Sequence, residues 1–250
     1  MKTPKKQRPT VLLLHGFRGT SEGLEDVAKA LKKQGLEVAI PDLPPFGKAG
    51  AMAEYTPETY ADYVNNYIKK QKLKKPILVG HSMGSIVAAA AAAEYTQVIA
   101  DKLVLLAPIS ARPARVFTSL APLIAIAPSD LVTLVCTLYL KNTNDWDKFW
   151  EMLAVSCLSG RKFASRGDVR KVAKFSMKYK VGDFKFKQQT LLLAGDKDHL
   201  IKKAKTEKLA TELEKRGVKC KTEFLPREGH LLNYEVPELV AQKIAEFVKS

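Results

Sequence analysis

The 250-residue chain is predicted to form a doubly wound α/β domain with a mostly parallel sheet of about six strands. Three observations predict this fold class. Short apolar runs recur along the chain, a longer helical pattern follows most of them, and the runs are apolar throughout instead of alternating with polar residues. Strands of this kind are buried on both faces. We therefore expect helices on both sides of the sheet.

The elements follow one another in regular order. The predicted strands lie within residues 10–16, 36–44, 76–82, 102–110, 189–198 and 219–230. The predicted helices lie within residues 21–35, 57–71, 83–95, 202–217 and 237–249. Ser21 is expected to cap the first helix, Pro57 to occupy the first turn of the second, and Gly217 to end the fourth.

Residues 111–186 interrupt the alternation and are predicted to form an inserted helical cap. The core domain then comprises residues 1–110 and 187–250. The apolar run at 116–140 is long enough to raise the question of a membrane span. It contains two prolines and an aspartate, which a span tolerates poorly, so a pair of packed helices is the preferred interpretation.

The second half of the cap, residues 161–180, carries eight basic residues and one acidic residue. Four residues at helical spacing mark its apolar face: Val169, Val172, Ala173 and Ser176. A solvated charged face is the ordinary interpretation. Weak association with an anionic membrane or an acidic carrier protein is the alternative. Nucleic acid is not expected as a partner, because no aromatic platform or reader motif accompanies the basic residues.

The overall charge is +15, from 41 basic and 26 acidic residues, and it favours encounter with anions. The three cysteines, Cys136, Cys157 and Cys220, are odd in number and widely spaced. They predict neither a disulfide framework nor a zinc site, as in a reducing compartment. The N-terminal apolar run, residues 11–14, is too short for a secretory signal. A cytoplasmic location is therefore expected, and monomer and dimer both remain open.

The pattern G-x-S-x-G occupies residues 80–84, between the third strand and an alanine-rich helix. Gly80 and Gly84 remove side chains that would clash at a sharp strand-to-helix turn. The turn then exposes Ser82 at a helix N-terminus, which favours developing negative charge. The bare pattern also occurs by chance in glycine-rich turns, but its position between a strand and a helix makes it specific.

A nucleophilic serine needs a base, and the chain has four histidines. His230 follows the last strand, at the carboxyl edge of the sheet where Ser82 also lies, and is the predicted base. His81 adjoins Ser82, so its side chain is expected on the other face. His15 closes the first strand, where it serves the site or only braces a loop. His199 adjoins a candidate acid, which makes their pairing awkward.

The acid that orients the base is expected from the strand end between Ser82 and His230. Asp196 and Asp198 both lie there, and Asp198 is preferred over its rival. The chain order Ser, Asp, His then matches the order that this architecture requires. The oxyanion of an acyl-transfer intermediate needs backbone donors. Met83, which follows the serine, and Phe17, in the loop after the first strand, are the candidates.

These motifs together resemble the α/β-hydrolase superfamily over nearly the whole chain: "HGF" after the first strand, "GHSMG", "GDKD", and "GH" before the last helix. The resemblance implies a catalytic triad, two oxyanion donors and a cap: Ser82–Asp198–His230, Phe17 and Met83, and residues 111–186. It also implies no metal and no organic cofactor. Many members have two extra N-terminal strands, but only about nine residues precede the "HG" strand here, so a minimal six-stranded sheet is expected.

The predicted function is hydrolysis of carboxylic esters with apolar, short to medium acyl groups, through an acyl-enzyme. Apolar residues of the cap suggest a hydrophobic acyl pocket, although they also suit a face packed on the core: Phe117, Leu120, Leu123, Ile124 and Ile126. Thioester hydrolysis, carbon–carbon bond hydrolysis and acyl transfer use the same triad and remain open. A non-catalytic ligand-binding protein on the same fold is the rival of another class.

Overall fold

The computed structural model describes residues 9–111 and 164–250. Six strands form one sheet in the order β2-β1-β3-β4-β5-β6, and every neighbouring pair is parallel. The strands are β1 (Thr10–Leu14), β2 (Glu37–Ala39), β3 (Ile77–His81), β4 (Lys102–Leu106), β5 (Gln189–Gly195) and β6 (Cys220–Leu225). The predicted parallel α/β sheet is confirmed.

Helices cover both faces of this sheet. They are α1 (Glu25–Lys33), α2 (Pro57–Lys70), α3 (Met83–Glu94), α4 (Arg166–Lys178), α5 (Lys203–Lys215), α6 (Leu232–Glu235) and α7 (Pro237–Lys249), with short 3-10 turns at Ser21–Leu24 and Val181–Asp183. Alternate strand residues enter two separate cores. Leu12 of β1 belongs to the core that also contains residues of α2, α3, α4 and α5, whereas Val11 belongs to the core that contains residues of α1 and α7. Period-two alternation of side chains across a strand explains the division.

The alanine-rich helix α3 is buried over most of its length, from Met83 to Ala92. Small side chains let it lie close against the sheet. A Cβ atom at Gly84 would overlap the carbonyl oxygen of Leu14 in β1. The tract of alanines is therefore a packing feature that brings the N-terminus of α3 directly over the carboxyl ends of β1 and β3.

Two of the predicted helix signals are confirmed. Pro57 is the first residue of α2, and the preceding Thr56 accepts a hydrogen bond from the N–H of Thr59 at 3.2 Å. Gly217 follows the end of α5 with a φ of 82°, a backbone conformation that glycine adopts without steric cost.

The prediction that Ser21 caps the first helix is wrong. Ser21 lies inside a 3-10 turn whose N-cap is Thr20, and α1 begins only at Glu25. The N–H of Ser21 donates to the carboxylate of Asp42 at 2.6 Å. The carboxylate of Asp42, which is distant in the chain, therefore accepts a hydrogen bond at the start of the 3-10 turn, where a local side chain was expected to do so.

Within the predicted cap, the described residues include α4. Val172 and Phe175 are buried in the core, and the ring of Phe175 lies 4.9 Å from that of Tyr60 in α2. The apolar run 116–140, which holds Cys136 and the five predicted pocket residues, lies outside the described residues, and so does Cys157. Among residues 9–111 and 164–250, no helix combines the length and apolar character that crossing a membrane requires.

Candidate active site

Ser82 lies on the turn between β3 and α3 with φ 52° and ψ −118°. A non-glycine residue rarely adopts this conformation, so the surrounding contacts must hold it in place. The N–H of Ser82 donates to the carbonyl oxygen of Leu106 in β4 at 3.0 Å. The hydroxyl of Ser85 donates to the carbonyl oxygen of Ser82 at 2.5 Å. Both peptide groups of the serine are thus fixed by buried partners.

The two glycines of the motif lie where the predicted crowding is greatest. A Cβ atom at Gly80 would overlap the carbonyl group of Gly84, and one at Gly84 would overlap the carbonyl of Leu14. Either side chain would push α3 away from β3 or β1. The sharp turn at Ser82 therefore depends on both glycines.

Three of the predicted side chains meet in one hydrogen-bonded row, which we call the Ser82–His230–Asp198 row. The hydroxyl of Ser82 lies 2.8 Å from Nε2 of His230, and Nδ1 of His230 lies 2.8 Å from Oδ2 of Asp198. Because a carboxylate only accepts, Nδ1 carries the proton and Nε2 accepts from the hydroxyl. The exposed fractions are 9% for Ser82, 2% for His230 and 5% for Asp198.

Asp198 is held in its ionised form. Burial favours the neutral acid, but the neighbouring His230 and two backbone donors outweigh it, so the pKa of Asp198 lies below its ordinary value. The donors are the N–H groups of Leu200 and Ile201, each 2.8 Å from Oδ1. The carboxylate is therefore a fixed negative charge at the end of the row.

The rival acid, Asp196, does not reach His230. Its Oδ1 accepts a hydrogen bond from the N–H of Arg227 at 2.7 Å. The N–H of Lys197 donates to the carbonyl oxygen of Glu228 at 2.9 Å, beside this contact. Asp196 thus joins the loop after β5 to the loop after β6, which carries His230.

His15 braces the loop after β1, one of the two roles expected for it. Its Nδ1 donates to the carbonyl oxygen of Gly16 at 2.8 Å, and its Nε2 accepts the N–H of Leu43 at 2.7 Å. Burial lowers the pKa of His15 to about 4, although the carbonyl of Gly16 and the charge of Asp42 favour the cation. The ring is therefore neutral near pH 7.

His81 has a contact that sequence reasoning missed. Its ring was expected on the face opposite Ser82. In the structure it is 5% exposed, and its Nε2 lies 2.9 Å from the carbonyl oxygen of His230. The motif contains no signal for this contact, because the partner is 149 residues away in the chain. His199, in contrast, is exposed and outside the row.

The two candidate oxyanion donors flank Ser82. Met83 is the first residue of α3, where an N–H group has no acceptor within the helix. Phe17 follows Gly16, at which a Cβ atom would lie 3.2 Å from the Cβ of Ser82. The ring of Phe17 packs edge-on against Phe46, with ring centroids 5.8 Å apart. The loop after β1 thus passes directly beside the serine.

No metal centre is evident in the described part of the chain, where no three His, Cys, Asp or Glu side chains lie close enough to share an ion. Cys220 is half-buried in β6, and burial raises the pKa of its thiol to about 11. A thiol held protonated in this way is a weak nucleophile.

A parallel sheet with a serine on a strand-to-helix turn, and a histidine and an aspartate reaching it from later strand ends, defines an α/β-hydrolase. The sequence comparison agrees and is more specific. The chain belongs to the family described as serine aminopeptidase, S33, which it matches over residues 5–236. The resemblance inferred from the motifs is confirmed.

Individual relatives are more distant. An uncharacterized hydrolase of Bacillus subtilis, YugF, is 25% identical over 256 residues, spanning 97% of this chain and 90% of that protein. A thermophilic esterase from Thermogutta terrifontis has a TM-score of 0.79 at 22% identity, covering 96% of this chain and 89% of its own. An enol-lactonase from Burkholderia xenovorans has a TM-score of 0.81 at 17% identity, covering 99% and 94%. At such identities the structural likeness shows the fold alone.

Proposed function

We propose that the protein is a carboxylesterase-type serine hydrolase, acting on esters of apolar, short to medium acyl groups through an acyl-enzyme. The Ser82–His230–Asp198 row carries the proposal. A buried serine hydroxyl that donates to a histidine, itself oriented by an ionised carboxylate, is the arrangement that activates an oxygen nucleophile. A ligand-binding role does not require this arrangement.

In the first half of the reaction, Ser82 Oγ attacks the ester carbonyl carbon while Nε2 of His230 takes the hydroxyl proton. The carbonyl oxygen becomes an oxyanion, to which the N–H groups of Met83 and Phe17 donate. The resulting imidazolium is stabilised by Asp198. When the bond to the leaving oxygen breaks, His230 gives its proton to the departing alcohol, and the acyl group stays on Ser82.

In the second half, His230 takes a proton from water, which attacks the acyl carbon. The second tetrahedral intermediate collapses, the proton returns to Ser82 Oγ, and the carboxylic acid leaves. Asp198 serves both halves, because its carboxylate holds the imidazole with Nδ1 protonated and Nε2 free to accept. The N-terminus of α3 adds a favourable field for both oxyanions.

We propose that residues 111–186 form a cap over this site. Its described helix, α4, packs through Val172 and Phe175 on the side of the sheet that also carries α2 and α3. The preference for apolar acyl groups rests on the composition of residues 116–140. Those residues are predicted to supply the acyl pocket.

Ester hydrolysis is preferred over the other reactions of the same triad for one comparative reason. The Thermogutta protein is described as an esterase and the Burkholderia protein as an enol-lactonase, and a lactone is a cyclic ester. The family description names an aminopeptidase, so amides belong in the test. Thioesters and carbon–carbon substrates are the remaining competitors.

Activity-based labelling tests whether the serine is activated. A fluorophosphonate probe is expected to label the parent rapidly, and to label neither Ser82→Ala nor His230→Ala at a comparable rate. A panel of p-nitrophenyl esters from acetyl to decanoyl, with aminoacyl p-nitroanilides and acyl thioesters alongside, then ranks kcat/KM. Absence of labelling in the parent, or higher kcat/KM for polar acyl groups, amides or thioesters, contradicts the proposal.

We also propose weak association of α4 with anionic membrane surfaces. Its exposed basic side chains recur every fourth residue: Arg166, Arg170, Lys174 and Lys178. Like charges at this spacing destabilise a helix by a few tenths of a kcal/mol per pair, and an anionic surface removes that repulsion. Each basic group near such a surface contributes about 1 kcal/mol.

Vesicle sedimentation tests this association. Binding to vesicles containing phosphatidylglycerol is expected at low salt, to fall with rising salt, and to fall about tenfold or more in Arg166→Gln/Lys174→Gln. Vesicles of phosphatidylcholine alone are the control. Salt-independent binding contradicts the proposal, as does selective binding of an acidic acyl carrier protein over vesicles.

A further inference from the structure

His230 is held at two places by two residues that are neighbours in the chain. Ser82 donates its hydroxyl to the ring of His230 at 2.8 Å, and the ring of His81 lies 2.9 Å from the main-chain carbonyl oxygen of His230. One contact reaches the end of the side chain and the other reaches the backbone. Because residues 81 and 82 are joined by a peptide bond, both contacts connect His230 to the same short segment of the chain.

The chemistry of the second contact defines the state of His81. A carbonyl oxygen only accepts, so Nε2 of His81 carries the proton and donates it. Burial is the main cause that lowers the pKa of His81 to about 3, with the nearby His230 acting in the same direction and Asp198 opposing it. The ring therefore stays neutral over the working range of a hydrolase.

The same ring also adjoins the loop after β1. A Cβ atom on Gly16 would lie 3.2 Å from Nδ1 of His81 and 3.2 Å from the Cβ of Ser82. Gly16 precedes the candidate oxyanion donor Phe17. His81 is thus packed between the nucleophile turn, the loop of the base and the loop of the oxyanion donor.

Other contacts hold the loop of His230 from the far side. The N–H of Gly229 donates to the buried carboxylate of Glu235 in α6 at 3.2 Å. Glu228 accepts from Lys197 in the loop after β5. These contacts join the loop to α6 and to the loop after β5, in which Lys197 precedes Asp198, whereas the contact of His81 joins it to β3, which ends directly before Ser82.

We propose that His81 is a positioning residue, which keeps His230 in register with Ser82 by donating Nε2–H to the carbonyl oxygen of His230. This inference rests on the proposed function, because register matters only if a proton passes between Ser82 and His230. Asp198 and Ser82 orient the imidazole ring of His230. His81 holds the backbone of His230 in place. The distance between Ser82 Oγ and Nε2 of His230 therefore does not depend only on the other contacts of the loop after β6.

A matched pair of substitutions tests the donor. In His81→Gln the amide nitrogen replaces Nε2, whereas in His81→Asn it falls at the position of Nδ1 and does not reach the carbonyl. For p-nitrophenyl butyrate, His81→Asn is expected to lower kcat by about 10- to 100-fold with a much smaller change in KM, because small misplacements of reacting groups have effects of this size. His81→Gln is expected to recover most of kcat. Equal kcat values in the two variants overturn the proposal.

A control separates positioning from loss of a buried hydrogen bond. Tyr60→Phe removes a buried donor to the carbonyl oxygen of Pro44, 2.7 Å away and outside the Ser82–His230–Asp198 row. It is expected to lower the melting temperature without lowering kcat. If Tyr60→Phe lowers kcat as much as His81→Asn does, the effect is general destabilisation and the inference fails. If the parent hydrolyses no substrate, the proposed function is contradicted, and not the positioning role of His81 alone.

A measurement on the parent needs no folded variant. Nitrogen-15 NMR of the histidine rings distinguishes the Nε2–H tautomer from the Nδ1–H tautomer and from the cation. The proposal requires that His81 remain the neutral Nε2–H tautomer between about pH 5 and pH 9, the range over which ester hydrolysis is assayed. Finding the Nδ1–H form or the cation in that range overturns it.

Discussion

Ser85 lies one helical turn after Ser82 and donates its hydroxyl to the carbonyl oxygen of Ser82 at 2.5 Å. The same oxygen of Ser85 accepts the N–H of Ile109 at 3.1 Å, in the segment that follows β4. Ser85 therefore ties the turn that carries Ser82 to a neighbouring strand end. The strained backbone of Ser82 depends on contacts of this kind.

Ser85→Ala is expected to lower the free energy of unfolding by about 1–3 kcal/mol, since the buried N–H of Ile109 loses its acceptor and the carbonyl oxygen of Ser82 keeps only the N–H of Ser85. Urea denaturation measures it. Ser176→Ala, which removes a half-buried hydrogen bond to the carbonyl of Val172, is the control and is expected to cost less. A smaller loss for Ser85→Ala than for Ser176→Ala contradicts the role assigned to Ser85.

The two aspartates after β5 are expected to differ sharply. Asp198→Asn removes the ionised partner of His230 and favours the wrong tautomer, so kcat for ester hydrolysis falls by about 10⁴-fold. Asp196→Asn keeps an oxygen acceptor for the N–H of Arg227, so its kcat stays within about tenfold of the parent. Steady-state kinetics on one ester compares the pair. The opposite ranking would assign the acid to Asp196.

Gly84→Ala is expected to destabilise the fold by about 3 kcal/mol or more, because the added methyl overlaps the carbonyl of Leu14 in a packed core. Gly167→Ala is the control. It lies in α4, where the nearest atom to an added Cβ is 3.6 Å away, and alanine favours a helix. Thermal denaturation is expected to show a lower melting temperature for the first variant and an unchanged or higher one for the second.

His15 makes the stability depend on pH. Burial lowers the pKa of His15 from 6.5 to about 4, so the unfolded state binds more protons between these values. Stability therefore falls as the pH falls through this window. His15→Gln keeps an acceptor for Leu43 but does not titrate.

Between pH 7 and pH 5, the parent is expected to lose about 2 kcal/mol more stability than His15→Gln does. Urea denaturation at the two pH values measures this difference. Between pH 7 and pH 8 the two proteins should change in parallel, which is the internal control. Equal losses down to pH 5 would show that His15 titrates normally in the folded protein.

Much of the fold was predictable because the relevant signals are local. The predicted segments located all six strands, and the positions of Pro57 and Gly217 marked helix ends. The expectation of strands that are apolar throughout holds for most residues of the inner strands but not for the edge strands β2 and β6, which carry charged residues and are only partly buried.

Strand ends were less predictable. The run at 36–44 forms only the three residues of β2, since Pro41 and Pro44 lack the N–H group that a strand ladder requires. Ser21 does not cap α1 because a 3-10 turn over Ser21–Leu24 precedes that helix, and the carboxylate of Asp42 accepts the N–H of Ser21 at the start of the turn.

In the candidate site, too, local features were predictable from the sequence and long-range contacts were not. The sequence alone indicated a serine on a strand-to-helix turn, the two glycines that the turn requires, and a histidine and an aspartate at later strand ends. These depend on backbone sterics and chain order. Only the tertiary structure separated Asp198 from Asp196, and placed the ring of His81 on the carbonyl of His230. Those contacts join residues more than 30 positions apart in the chain, and the packing of the sheet and helices decides which of them meet.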